Sequence, residues 1–365
     1  MGNANIALEI GGSPVNHTVM TNLSRPLASL TWTATLSLLT AGALLLAPAT
    51  SLAEGAKARL LVCNKGDATL GIIDPETNLQ IATIPEDGVT GHEVVASPDG
   101  HRAFVPIYGN SGVGKPGTDG QLIRVLDLDQ HRIVGTVDFG RGIRPHCARM
   151  GPRNGLLYVT TELDKCITIL DPGTLKILGT VPTGQTESHM LIISSDGRRG
   201  FTANVGPGTV SVLDLELNQL LKVIPVSGNT QRIAISRDDH WVFTADQTKP
   251  QLAVIDTAKQ EVVKRIELTS VAYGTDVTPD GRWLIVALSG SNEVGVVDLQ
   301  SLSQVRTIKV PVVPQEVLVR PDGAVAYVSC TTSRQIAVID LKTWRVSALI
   351  PAGKGADGLA WVPAR

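Results

Sequence analysis

Three histidines carry the strongest chemical signal in the chain. His92, His146 and His189 stand 54 and 43 residues apart, too far for a local metal motif but close to one shared interval. Imidazole suits zinc, copper, iron or nickel, and three imidazoles with an open position would suit a catalytic metal. Stepping on from His189 by 42 residues at a time reaches Gln231, Tyr273, Gln315 and Asp357. Glu93, Arg144 and Glu187 flank this series, and Glu162 lies in a connection nearby. All seven stepped positions are polar or part-polar, and apolar runs follow them. Two readings stand: a ligand or metal site, or a wet channel whose polar groups bond to neighbouring elements.

The interval belongs to an internal repeat, the signature of a stacked or ring-shaped architecture. Seven apolar runs each end in an aspartate, at Asp74, Asp127, Asp171, Asp214, Asp256, Asp298 and Asp340, spaced 53, 44, 43, 42, 42 and 42 residues. A second landmark keeps step with them, as in Pro98-Asp99-Gly100, Ser195-Asp196-Gly197, Pro279-Asp280-Gly281 and Pro321-Asp322-Gly323. Each unit reads as four short Val-, Ile- and Leu-rich strands between turn residues. Within one unit these are Ala272–Val277, Trp283–Ala287, Glu293–Val297 and Gln304–Ile308. The phased aspartates each open a turn, where a carboxylate can accept bonds from turn amides, so they read as structural rather than metal-binding.

Four strands per unit of about 42 residues specify a propeller blade. The expected fold is all-β, a seven-bladed β-propeller within 59–362. The first unit starts on a second-type strand at Leu60 and the chain ends on a first-type strand, Gly358–Val362. The C-terminal strand should therefore pair with the N-terminal blade and close the ring. The repeat resembles the YVTN family of β-propellers through Leu157-Tyr158-Val159-Thr160-Thr161, Ile167-Thr168-Ile169-Leu170-Asp171 and Ala326-Tyr327-Val328-Ser329. Pro145-His146 followed by a turn and a strand is distantly similar to seven-bladed lactonases.

Composition narrows the function classes. Thirty-two basic and 34 acidic residues give a net charge of −2 without a run of either sign, so no nucleic-acid face is expected. The four cysteines, Cys63, Cys147, Cys166 and Cys330, form no zinc or haem-attachment spacing. They read as small buried hydrophobes, with one disulfide as the alternative. Residues 1–53 read as a secretory leader: Arg25, an uncharged apolar stretch, then Ser51-Leu52-Ala53, with Met20 as a candidate start. A retained membrane anchor is the alternative, because the uncharged run could span a bilayer. After cleavage no transmembrane span is expected. The exported domain, 54–365, would work in the periplasm, on the cell surface or in the medium.

An insertion at 108–120 joins two strands on the His92 face and is a candidate flap. Its Gly112-Val113-Gly114-Lys115 lacks the strand–loop–helix setting of a phosphate loop. The first functional expectation is a binding module that takes a small molecule or an envelope protein in its central funnel. The YVTN resemblance implies such an envelope role. The lactonase resemblance implies the alternative, a funnel-sited hydrolase, in which Arg144 would steady an anion and His146 or Glu187 would act as base. A transition metal on His92, His146 and His189 would belong to that alternative. A third class, the haem-carrying electron-transfer propellers, finds no covalent attachment motif in this chain.

Overall fold

The computed structural model describes residues 56–110 and 112–365. The leader, its cleavage point and Met20 lie outside them. Seven four-stranded antiparallel sheets make up the described chain, which is the seven-bladed propeller. Blade 2 holds Val95–Ala96, Arg102–Gly109, Asp119–Asp127 and Arg132–Asp138. Blades 3 to 7 begin at Pro145, Ser188, Thr230, Thr275 and Pro314. Blade 1 is composite. Its strands Arg59–Asn64, Thr69–Asp74 and Leu79–Pro85 are completed by Ala356–Val362 from the other end of the chain. Leu60 pairs with Trp361 and Val62 with Leu359, so the ring closes as the strand order requires. Among the described residues no helix is long and apolar enough to cross a membrane.

Burial follows strand position. The middle strands are buried along their length, as in Arg59–Asn64 and Leu157–Thr161, whereas the outer strands alternate towards solvent, as in Arg132–Asp138. Neighbouring blades share apolar clusters; one runs from Tyr158 through Val212 to Ala253, across blades 3, 4 and 5. All four cysteines are free and buried in these layers, which answers the disulfide alternative.

The seven phased aspartates are turn caps. In every blade one carboxylate oxygen accepts backbone N–H bonds two and three residues on, as from Glu216 and Leu217 to Asp214 at 3.0 and 2.9 Å. One strand is shorter than expected. Blade 6 begins at Thr275, not Ala272, because the Gly274 amide bonds to Gln315 O of blade 7 at 2.8 Å. A Cβ at Gly274 would lie 2.0 Å from that oxygen, so only glycine permits the approach.

Closure and burial generate two expectations. Removing Ala356–Arg365 takes away Ala356, Leu359, Ala360 and Val362, all buried, and leaves blade 1 with a bare edge. At about 1.5–3 kcal/mol per large buried side chain, the shortened protein should lose cooperative melting; calorimetry showing the parent transition would refute the closure. Glu86 is fully buried, with Oε2 accepting the Gly91 amide at 2.7 Å and Oε1 unpartnered among the described residues. Burial pushes its carboxyl up to about 7, against the Gly91 bond. A raised acid favours folding below its ordinary pKa, and that contribution is lost as pH rises through about 7. Glu86→Gln should therefore match the parent near pH 5 and exceed it by roughly 2 kcal/mol above pH 8 in urea titrations.

Candidate functional site in the central funnel

Each blade contributes its first strand to the channel, and those strands are irregular at the mouth. Register shifts fall between Pro145 and Ala148, Ser188 and Met190, Gln231 and Ile233, and Pro314 and Val317. A bulge adds an unpaired residue and re-aims side chains. Side-chain hydroxyls take up the freed backbone groups. Thr160 Oγ1 accepts the Cys147 amide at 2.8 Å, Thr244 Oγ1 donates to Gln231 O at 2.8 Å, and Ser329 Oγ accepts the Glu316 amide at 3.0 Å. The bulges bring two layers of groups to the axis: the phased histidines above, and Glu93, Arg232 and Glu316 below.

The upper layer is a ring cluster around Tyr108. His146 and His189 stack at 3.5 Å between centroids, and Tyr108 meets both edge-on at 5.1 and 5.5 Å. His92 lies 4.9 Å from Tyr108 and 5.5 Å from His146. Behind them Glu162 is buried, accepting the Tyr108 hydroxyl at 2.8 Å on Oε2 and His189 Nδ1 at 2.9 Å on Oε1. His146 Nδ1 faces the His189 carbonyl at 3.2 Å. A carbonyl only accepts, so His146 carries its proton on Nδ1, and the Glu162 carboxylate holds the His189 proton in the same place. His146 is thereby left with a lone pair on Nε2. Burial drives His92 down to about 3 and His146 well below its ordinary value, so both are neutral near pH 7.

The lower layer is built on Arg232, which is 3% exposed. Its Nη1 bonds to Glu93 Oε1 and lies 2.6 Å from Glu316 Oε2, while Nη2 reaches Asp357 Oδ1 at 3.1 Å. Its guanidinium also sits 5.1 Å from the centre of the Tyr273 ring. Lys65 Nζ adds Asp357 Oδ2 at 2.8 Å and Gln315 Oε1 at 3.3 Å. Burial alone would raise Asp357; Lys65 and Arg232 overcome it and hold the carboxyl below its ordinary value.

Above Arg232 lies a cavity of roughly 370 Å³, lined in part by His92, His146, His189, Gln231, Tyr273 and Asp357. These six belong to the eleven residues the sequence singles out. Glu93 and Glu162 are buried behind the wall rather than in it, and Gln315 reaches the site through Lys65. Arg144 and Glu187 do not line the cavity, although Arg144 reaches the cluster behind it, with Nη1 3.9 Å from Glu162 Oε2 and its guanidinium 5.7 Å from the centre of the Tyr108 ring. Both have left-handed backbone, φ 52° and 55°, two residues before His146 and His189. Arg144 bonds to Asp119 Oδ1 at 2.6 Å and Lys115 O at 2.7 Å, and Glu187 Oε2 accepts the Gly206 amide at 2.7 Å. Among the described residues no three His, Cys, Asp or Glu side chains form a ready-made metal cage. The stacked imidazoles face one another instead of converging on a point.

Sequence reasoning missed Lys65, Tyr108, Val205, Arg232 and Gln247. A second phase was available for some of them. Lys65, Glu162, Val205 and Gln247 each follow the second strand of their blade, the last three 43 and 42 residues apart. Gly112 and Val113 of the insertion also line the cavity, so the loop does cover the funnel mouth.

Comparison with known proteins adds a family signal. The family model for "Cytochrome D1 heme domain" matches residues 150–278, about a third of the chain. No curated protein sequence matches. Among solved structures, Kuenenia stuttgartiensis hydrazine synthase aligns with TM-score 0.62 at 17% identity, covering 75% of this chain and 90% of that one. Dihydro-heme d1 dehydrogenase NirN, in complex with DHE, aligns with TM-score 0.60 at 15% identity, over 82% and 74%. These likenesses establish the seven-bladed fold, and the family match gives residues 150–278 a similarity to haem d1 domains.

Arg232→Met should leave Glu93, Asp357 and Glu316 without their shared cation. Stranding buried charge costs about 3–5 kcal/mol. The stranded carboxyls would have raised pKa values, so the defect should be large at pH 8 and shrink at pH 5. A loss in chemical denaturation that is equal at both values would contradict the assigned role.

Proposed function

We propose that the funnel binds a tetrapyrrole of the haem class without covalent attachment, in a protein working outside the cytoplasm. The carrying observation is the stacked pair of imidazoles, His146 and His189, which line one cavity while Nδ1 of each is held from behind, by the His189 carbonyl and by Glu162. The donor set fits such a group. Imidazole nitrogen is an iron ligand, and a Glu162-held His189 is the carboxylate–histidine arrangement that fixes a metal ligand. Lys65, which lines the cavity, supplies a cationic donor for a carboxylate arm. The partial match to the haem d1 domain runs over Glu162, Glu187, His189, Gln231, Arg232 and Tyr273, and so supports the same reading. The bound group would supply a redox-active iron. The protein would supply ligation, orientation and exclusion of water, the last through Gly112 and Val113.

Absence of a Cys-x-x-Cys-His motif is compatible with this reading, because ligation and packing suffice for a non-covalent haem. A second reading, hydrolysis, keeps one observation in its favour: Glu162 and His189 form a carboxylate–imidazole pair of the general-base type.

Purified full-length protein, titrated with hemin and with dihydro-haem d1, tests the proposal by absorbance. Saturable uptake of at least one is expected, with a Soret shift. His189→Ala and His146→Ala should each alter the spectrum and weaken binding tenfold or more, about 1.4 kcal/mol. Failure to take up either tetrapyrrole, or unchanged spectra in both variants, would overturn it.

A further inference from the structure

Below Arg232 the channel holds a second chamber, of roughly 200 Å³. Arg149, Met190, Thr275, Asp276 and Glu316 help to line it, and Arg232 borders both spaces. Its wall comes from further along the first strands, Ile192 and Ile235 rather than His189 and Gln231.

Arg149, Arg232 and Thr275 each bring to this chamber a donor that no acidic side chain takes up. Arg149 forms no ion pair among the described residues; its guanidinium bonds only to the Ala148 carbonyl, at 3.2 Å. Arg232 Nε and Thr275 Oγ1 have no hydrogen-bond partner among the described residues, though their residues are 3% and 7% exposed. The two carboxyls do not balance them. Asp276 is already occupied, accepting the Val277 amide on Oδ1 and the Val319 amide on Oδ2, each at 2.8 Å. Glu316 is turned to Arg232, with Oε2 2.6 Å from Nη1 though without a hydrogen bond there, and burial raises its carboxyl against the pull of Arg232. Buried donors left unmade are costly, and a guanidinium fork matches a planar pair of oxygens.

We infer that this lower chamber binds a small carboxylate or planar oxoanion, held by the Arg149 fork, Arg232 Nε–H and the Thr275 hydroxyl. The site is separate from the histidine-lined cavity and does not depend on what that cavity holds. The volume admits a ligand of a few heavy atoms and excludes a macrocycle.

Calorimetric titration of the full-length protein with sodium formate and sodium acetate at pH 7, with ionic strength held by gluconate, tests this. Saturable binding with Kd below about 10 mM is expected. Arg149→Gln and Thr275→Val should each weaken it about tenfold or more, and Arg149→Lys, which keeps the charge but loses the fork, should fall between. Melting curves verify that each variant folds. Should Arg149→Gln fail to fold, Thr275→Val decides. No saturable heat with either anion, meaning that the chamber holds water only, overturns the proposal. Parent-like binding in the folded variants does the same.

Discussion

The axis of this propeller depends on a single buried cation. Arg232 gathers Glu93 from blade 2, Glu316 from blade 7 and Asp357 from blade 1, although it stands on blade 5. Seven first strands crowd a propeller axis, and their polar edges would repel one another if they carried only carboxylates. A guanidinium offers five donors in a fixed plane and stays charged when buried. It can therefore satisfy three acids from different directions at once. Burial disfavours its charge, but Glu316, Glu93 and Asp357 together hold it well above its ordinary pKa.

That cluster also partitions the channel. Above it the surroundings are aromatic and imidazole-rich, with carboxylate Glu162 setting tautomers from behind. Below it Arg149, Arg237, Thr275, Asp276 and Glu316 stand among aliphatic side chains. One ring thus presents two settings along its axis, a histidine-lined cavity and a smaller chamber with unpaired donors. The partition rests on bulges. A regular strand would send alternate residues to opposite faces, so His189 and its neighbours could not all serve the axis. The bulges break that alternation at the mouth, and Thr160, Thr244 and Ser329 repair the backbone they disrupt.

The insertion between the second and third strands of blade 2 links the rim to the site. Arg144 ties it down through Asp119 and the Lys115 carbonyl, and Glu187 lies under Gly114, where a Cβ would come within 2.6 Å of its Oε1. These two charged residues, which the sequence offers as chemical groups, hold the cover of the cavity instead. Their left-handed backbone is the cause, since a positive φ turns the chain before the strand enters the channel.

The sequence by itself determined the repeat, and with it the ring. The 42-residue step, the aspartate-capped turns and the placement of a first-type strand at the C-terminus are local patterns, and each reappears as a blade, a cap or the closing pair Leu60–Trp361. Phase alone also brought His92, His146, His189, Gln231, Tyr273 and Asp357 to one cavity, because equal steps around a closed ring reach equivalent places. Only the tertiary structure decided what those groups do there. Whether His146 stacks on His189 or shares a metal with it depends on ångström-scale bulges and ring orientations that periodicity does not encode. Arg232, one residue after a phased position, looks like an ordinary strand residue in the sequence. It becomes the central cation because acids 125 and 139 residues away in the chain meet it at the axis. Electrostatic partnership of that kind depends on distance in space, and the ring, not the chain order, sets it.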